Sequence, residues 1–260
     1  MSTSKDGTSI AYDKVGAGPA VVVVNGALSA RSSSTELAQL LAPRFTVYSY
    51  DRRGRGDSAD TKPYSVQREI EDLEAVIDAA GGSAFVYGKS SGASLALEAA
   101  SSLGVKVKKL ALYEAPYSEA EGAAREWREF RSRFDALLAA DRRADAVTAF
   151  MKFVGAPDEA IAGMKSSPAW PGMIAMAPTL AYDNAILGED RSVPVRTAAK
   201  IKANTLVMDG GASLKTMPFM RATADKLGKA VPNAQRRTIE GQGHDVNSKA
   251  LTPALLEFFN

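Results

Sequence analysis

Short apolar runs alternate with longer amphipathic ones along this chain. "AVVVV" (Ala20 to Val24) has the length and β-branching of a strand buried on both sides. "FTVYSY" (Phe45 to Tyr50), "AFVYG" (Ala84 to Gly88), "KLALYE" (Lys109 to Glu114), "TLVMD" (Thr205 to Asp209) and "RRTIE" (Arg236 to Glu240) give five more strands. "SIAYDKV" alternates polar and apolar positions and suits an antiparallel edge strand. Helical patterns lie between them, over Ser34 to Leu41, Val66 to Ala80, Ala93 to Leu103, Met217 to Val231 and Thr252 to Phe259. Strand and helix in alternation, with near-continuous apolar strands, predict an α/β fold: a mostly parallel sheet covered by helices on both faces. Function in such a sheet is expected at the carboxyl ends of the strands.

The alternation breaks once. From about Tyr117 to about Thr197 no strand pattern stands out. "EGAAREWREFRSRFDALLAADRRADAVTAFMKFVG" carries two helices' worth of pattern, and "SSPAWPGMIAMAPTLAYDNAILG" is rich in proline, methionine and aromatic residues. The stretch is several-fold longer than an ordinary crossover. It reads as a helical cap of residues 117–197, inserted into a core of residues 1–116 and 198–260; ordinary covering helices are the plainer alternative.

Composition narrows the chemistry. With 260 residues and 45% hydrophobic positions the chain can bury a large core. It has no cysteine, which excludes a disulfide framework, a cysteine nucleophile and thiolate metal sites. A net charge of +2, with no extended basic run, argues against nucleic acid as a partner. No apolar run approaches membrane-spanning length, and "MSTSKDGTSIAYDKVG" lacks an apolar signal core. A cytoplasmic location is therefore expected, with a small-molecule substrate as the partner; a homodimer is allowed.

One stretch stands out against this background. At Gly88-Lys89-Ser90-Ser91-Gly92 a buried strand ends and a helix opens within five residues. G-x-S-x-G in this setting is the signature of a nucleophile elbow, a sharp turn that exposes a serine above the sheet. A glycine-rich strand-to-helix loop with no chemistry is the alternative. Ser90 would need a base, and the chain has a single histidine, His244, in the glycine-containing loop "EGQGHDV" after the last strand.

With these residues in view, the chain resembles the α/β-hydrolase fold family over nearly its whole length. "VVVVNGALS" is similar to the family's strand and oxyanion loop, with Asn25 where a histidine is usual. "YDRRGRGDS" is similar to its D-x-R-G-x-G-x-S turn, "GKSSGA" to its elbow and "GQGH" to its histidine loop. The resemblance implies an oxyanion hole made by the backbone N–H groups of Ala27 and Ser91. The third catalytic member departs from the common pattern. "TLVMDGGASLKTMP" puts Ser213 where the family usually has an aspartate. The family's second solution, an acid after the preceding (sixth) strand, falls on Glu114, with Asp209 in reserve and Asp245 as a solvated neighbour.

A serine at the elbow implies acyl transfer rather than the aspartate-nucleophile reactions of related dehalogenases and epoxide hydrolases. The expected function is hydrolysis of carboxylic esters or lactones through an acyl-enzyme, with a Ser90–His244–Glu114 triad. No metal or organic cofactor is implied. Rival readings are C–C bond hydrolysis, cyanohydrin cleavage or perhydrolysis on the same triad, a slow-turnover ligand sensor, and a scaffold with a dead site. Lys89 is expected to ion-pair, with Asp209 or Glu114 as candidates. Arg52, Arg53 and Arg55 read as a turn held by ion pairs rather than as an anion site. Some pocket lining is expected among Trp127, Phe130, Phe134, Phe150, Phe153, Trp170, Met173, Met176 and Tyr182, most of which read as ordinary core; the sequence does not sort the two.

Overall fold

In the computed structural model, which describes residues 1–260, the apolar runs pair into one seven-stranded sheet. Two short strands, β1 (Ser2–Thr3) and β2 (Ser9–Ile10), form a separate antiparallel ribbon at the start of the chain. The predicted edge strand "SIAYDKV" is divided between β2 and the first strand of the sheet, while β1, two residues long, is too short to leave a periodic pattern. The sheet comprises β3 (Tyr12–Val15), β4 (Ala20–Val24), β5 (Thr46–Tyr50), β6 (Ala84–Lys89), β7 (Val107–Tyr113), β8 (Asn204–Gly210) and β9 (Ala234–Ile239), in the order β3-β5-β4-β6-β7-β8-β9. Only β3, the predicted edge strand, runs antiparallel to its neighbour.

The helices are α1 (Thr35–Leu41), α2 (Val66–Ala79), α3 (Ser91–Leu103), α4 (Ala123–Ala139), α5 (Arg143–Phe153), α6 (Asp158–Lys165), α7 (Trp170–Met176), α8 (Leu180–Ile186), α9 (Val195–Ala198), α10 (Phe219–Ala230) and α11 (Ser248–Phe259). The period-2 geometry of a strand explains the unbroken valines of β4. Val21 and Val23 pack in one apolar layer with Leu37 and Leu41 of α1 and Leu251, Leu255 and Phe259 of α11. Val22 and Val24 pack in the other with Leu73, Val76 and Ile77 of α2 and Leu95 and Leu97 of α3. Full burial of a side chain of this size is worth about 1.5–3 kcal/mol, so a polar substitution at any of the four would be costly. Helix α11 begins before the expected Thr252. The Asn247 side chain caps it by accepting the Lys249 N–H at 2.9 Å, and Pro253 lies inside the helix.

All six helices from α4 to α9 lie between β7 and β8, with no strand among them. The strand before them is the sixth in the count the resemblance implies; here it is the fifth to enter the sheet along the chain. The insert has its own packed interior. Phe130 and Phe153 stack with centroids 4.1 Å apart, Trp127 and Phe134 lie against Phe130, and Trp127 Nε1 donates to the Gly188 carbonyl at 2.9 Å. Those rings fall on the core side of the expectation above, packed on one another and into the main apolar cluster. Tyr182 is also committed: it stacks on Tyr64 at 3.8 Å and donates to Asp60, which fastens α8 to the core. Helix α7, with Trp170, Met173 and Met176, remains partly exposed. No helix is long and apolar enough to cross a membrane.

Candidate active site

Ser90 joins β6 to α3 with φ 57° and ψ −132°, a conformation that a residue with a side chain adopts at a cost of about 1–3 kcal/mol. The glycines around it make the bend feasible. A Cβ on Gly88 would sit 2.5 Å from the Gly92 carbonyl oxygen, and one on Gly92 would sit 2.2 Å from that of Val24. Strand and helix therefore approach too closely for any larger residue. Two further residues with left-handed φ stand in neighbouring loops: Leu28 (52°), after β4, and Glu114 (48°), after β7. Three of the chain's five such non-glycine residues thus fall in the loops that carry the predicted site.

The structure brings Ser90, His244 and Glu114 into one line of hydrogen bonds. His244 Nε2 lies 3.1 Å from Ser90 Oγ, and His244 Nδ1 lies 2.7 Å from Glu114 Oε2. A carboxylate oxygen only accepts, so Nδ1 carries the proton and Nε2 is left to accept the serine hydroxyl. The other oxygen of Glu114 accepts the Gly210 N–H at 2.8 Å, and the side chain is fully enclosed. Tyr113 Oη donates to the Gly243 carbonyl at 2.6 Å, which ties the histidine loop to the end of β7.

The reserve acid is engaged elsewhere. Asp209 accepts from Arg236 (3.0 Å), Arg221 (3.0 Å) and Thr238 (2.9 Å). Burial would raise its pKa, but those three donors outweigh it and hold the carboxyl below the ordinary range. Ser213 is buried near the histidine loop, and its hydroxyl has no hydrogen-bond partner. Lys89 pairs with neither Asp209 nor Glu114. Its ammonium lies 3.1 Å from Asp245, a fully exposed carboxylate beside His244, so it does not compete with the imidazole for Glu114. Solvent screens that pair and leaves it weak.

The arginine cluster is a buried ion-pair network, as the turn reading anticipated. Arg52 forks onto Glu69 with two 2.8 Å bonds, and Arg53 forks onto Asp72 with two at 2.7 Å. Arg55 donates from Nη2 alone to both oxygens of Asp183, at 3.0 and 2.8 Å. Asp51 shapes the turn itself, accepting the backbone N–H of Asp57 at 3.0 Å, while a Cβ on Gly56 would collide with its carboxylate. Asn25 does not face the serine as a donor. Its amide bonds Ala30 O (3.2 Å) and Ser34 Oγ (3.3 Å), bracing the loop after β4. The N–H groups of Ala27 and Ser91 take part in none of the turn, loop and cap backbone hydrogen bonds.

Sequence reading missed Asp183 and Gly210. Asp183 lies on α8 of the insert, more than 120 residues from Arg52 and Arg55. Burial would raise its pKa, but Arg55 and Arg52 outweigh that and keep it low. The signal available was charge balance: a turn with three arginines cannot be buried without carboxylates to match. Gly210 contributes a backbone donor, and only its place beside Tyr113 and Gln242, where a Cβ would come within 2.6 and 2.4 Å, marks it.

Residues 21–252 match the model of the alpha/beta hydrolase family. An alpha/beta hydrolase from Sphaerobacter thermophilus DSM 20745 is 51% identical, with 99% of each chain covered and a TM-score of 0.91. Two more distant structures share the fold. The enol-lactonase from Burkholderia xenovorans LB400 is 22% identical over 98% of this chain and 97% of its own, with a TM-score of 0.70. A thermophilic esterase from Thermogutta terrifontis is 19% identical over 99% and 96%, with a TM-score of 0.73.

Proposed function

The chain belongs to the alpha/beta hydrolase family, and from that premise we propose that it is a serine hydrolase of carboxylic esters or lactones. The observation that carries the proposal is the Glu114–His244–Ser90 line, at 2.7 and 3.1 Å, ending on a serine held above a helix N-terminus. Ser90 Oγ attacks the carbonyl carbon while His244 Nε2 takes its proton, and Glu114 stabilises the imidazolium that forms. The carbonyl oxygen becomes an oxyanion, received by the N–H groups of Ala27 and Ser91. Collapse expels the alcohol, protonated by His244, and leaves an acyl-serine. Water, deprotonated by His244, then attacks the acyl carbon, and release of the acid restores Ser90. No step uses a metal or an organic cofactor. An esterase and an enol-lactonase share the fold, which makes esters and lactones the carbonyls to assay first.

In this reading residues 117–197 are a cap over the core formed by 1–116 and 198–260, and partly exposed α7 is its candidate for contact with the acyl group. The enzyme works in the cytoplasm on a small molecule, as a monomer or a homodimer. The test is fluorophosphonate labelling with mapping of the modified residue. The label should fall on Ser90, and Ser90→Ala should abolish it and lower kcat by about 10⁴-fold or more. Labelling that persists in Ser90→Ala would overturn the proposal.

A further inference from the structure

A single carboxylate from the insert connects to both residues that would hold the oxyanion, to Ser91 through its hydroxyl and to Ala27 through Arg55 and the Gly26 carbonyl. Asp183 Oδ1 accepts from Ser91 Oγ at 2.7 Å and from Arg52 at 2.8 Å, and both its oxygens accept from Arg55. Arg55 also donates from Nη1 to the Gly26 carbonyl at 2.7 Å. In a trans peptide the C=O and N–H point in opposite directions. Holding Gly26 O toward Arg55 therefore turns the Ala27 N–H to the other side. Ser90 lies close against this segment, since a Cβ on Gly26 would come within 2.9 Å of Ser90 Cβ. The loop does not hold this shape by intrinsic preference. Leu28, two residues on, has φ 52°, a strained value that persists only where surrounding contacts enforce it.

We propose that Asp183 is a positioning residue for the oxyanion hole: it fixes Ser91 directly and fixes the Gly26–Ala27 peptide through Arg55. The inference rests on the serine-hydrolase reading above. Donors set before substrate arrives need no reorganisation during the reaction, and that is the source of their catalytic strength. It also assigns the insert a role in the chemical step, because α8 supplies the anion that the core's arginines require. A purely structural role would share the same contacts but affect only how much protein folds.

The experiment separates these by counting active sites. Fluorophosphonate end-point titration gives the fraction of molecules with a competent Ser90, and kcat for p-nitrophenyl butyrate is then expressed per competent site. Asp183→Asn keeps the shape and removes the charge. Its kcat per site should fall about 10- to 100-fold with KM within about threefold, a smaller loss than the 10²–10³ that follows removal of an oxyanion donor. Affinity for a trifluoromethyl ketone, which forms a tetrahedral anion on the serine, should fall by a similar factor. Asp183→Glu, which restores the charge, should recover part of both. Ser91→Ala removes one hydrogen bond, places little demand on folding, and covers the case in which Asp183→Asn does not fold. It should still be labelled at Ser90, with kcat per site several-fold lower. Unchanged kcat per site in Asp183→Asn, or in Ser91→Ala should the former not fold, overturns the inference. A wild-type protein that takes no label at Ser90 would instead overturn the functional reading on which it rests.

Discussion

Glu114 and Asp209 are buried carboxylates at the ends of adjacent strands, and they are surrounded by opposite chemistry. Asp209 is matched by two guanidinium groups and a hydroxyl. Glu114 meets no permanent cation: one oxygen faces an imidazole and the other a backbone N–H. Under the proposed triad, the difference separates a structural acid from a responsive one. A carboxylate already neutralised by arginine has little to offer a charge that appears transiently. One that faces a neutral ring gains a full ion pair when that ring takes a proton. Proximity to the strand ends, shared by both residues, decides nothing; what already occupies the lone pairs decides it.

The sharpest way to break this contrast is to neutralise each acid in turn. Glu114→Gln keeps the shape but removes the charge and favours the wrong imidazole tautomer. Its kcat should fall by about 10⁴-fold, with KM little changed in steady-state ester hydrolysis. If Asp209→Asn proves to be the dead variant instead, the two roles are reversed. That variant should keep kcat within about fivefold and lose stability. The loss should be about 2 kcal/mol, below that of a fully enclosed pair because Arg221 and Arg236 are partly exposed. A calorimetric Tm lower by about 4–8 °C would correspond.

The pH dependence of that difference sharpens the contrast further. Asp209 titrates below its ordinary value in the folded chain, so near pH 4 the unfolded state binds more protons and stability rises with pH. The Tm advantage over Asp209→Asn should be complete above the ordinary aspartate value of about 3.9 and vanish as pH falls through the lower folded value. A Tm difference that stays constant down to pH 2 would contradict this account. The smallest effect is expected at Ser213, where the family usually has its acid. Ser213→Ala removes a buried hydroxyl that has no partner, so kcat should hold within about twofold and Tm should stay level or rise slightly.

The framework was legible because its signals are local. The valines of β4 and the Gly88–Gly92 bend carry their reasons in a few consecutive residues. Glu114 could be offered as the acid because the resemblance put a serine at one acid position and a glutamate at the other. The partner of Lys89 and the insert's partner of Arg52 and Arg55 were not legible. Asp245 and Asp183 meet them across 156 and more than 120 residues, and an ion pair between distant segments leaves no period in either. Pocket lining could not be sorted from core for a related reason. An aromatic stripe has the same pattern whether it faces a ligand or, as with Trp127, Phe130 and Phe153, another helix of the same insert.

The solitary histidine has a spectroscopic consequence. Since the chain contains one imidazole, a nitrogen-15 spectrum tuned to ring nitrogens should hold a single pair of resonances, already assigned by composition to His244. Its Nδ1 proton, shared with a carboxylate 2.7 Å away, should appear far downfield of the amide region. Tautomer, protonation and the arrival of an inhibitor at Ser90 could then be followed on one unmutated atom pair. With no cysteine in the chain, a single engineered thiol on α7 would place a second, unambiguous reporter on the insert in the same sample.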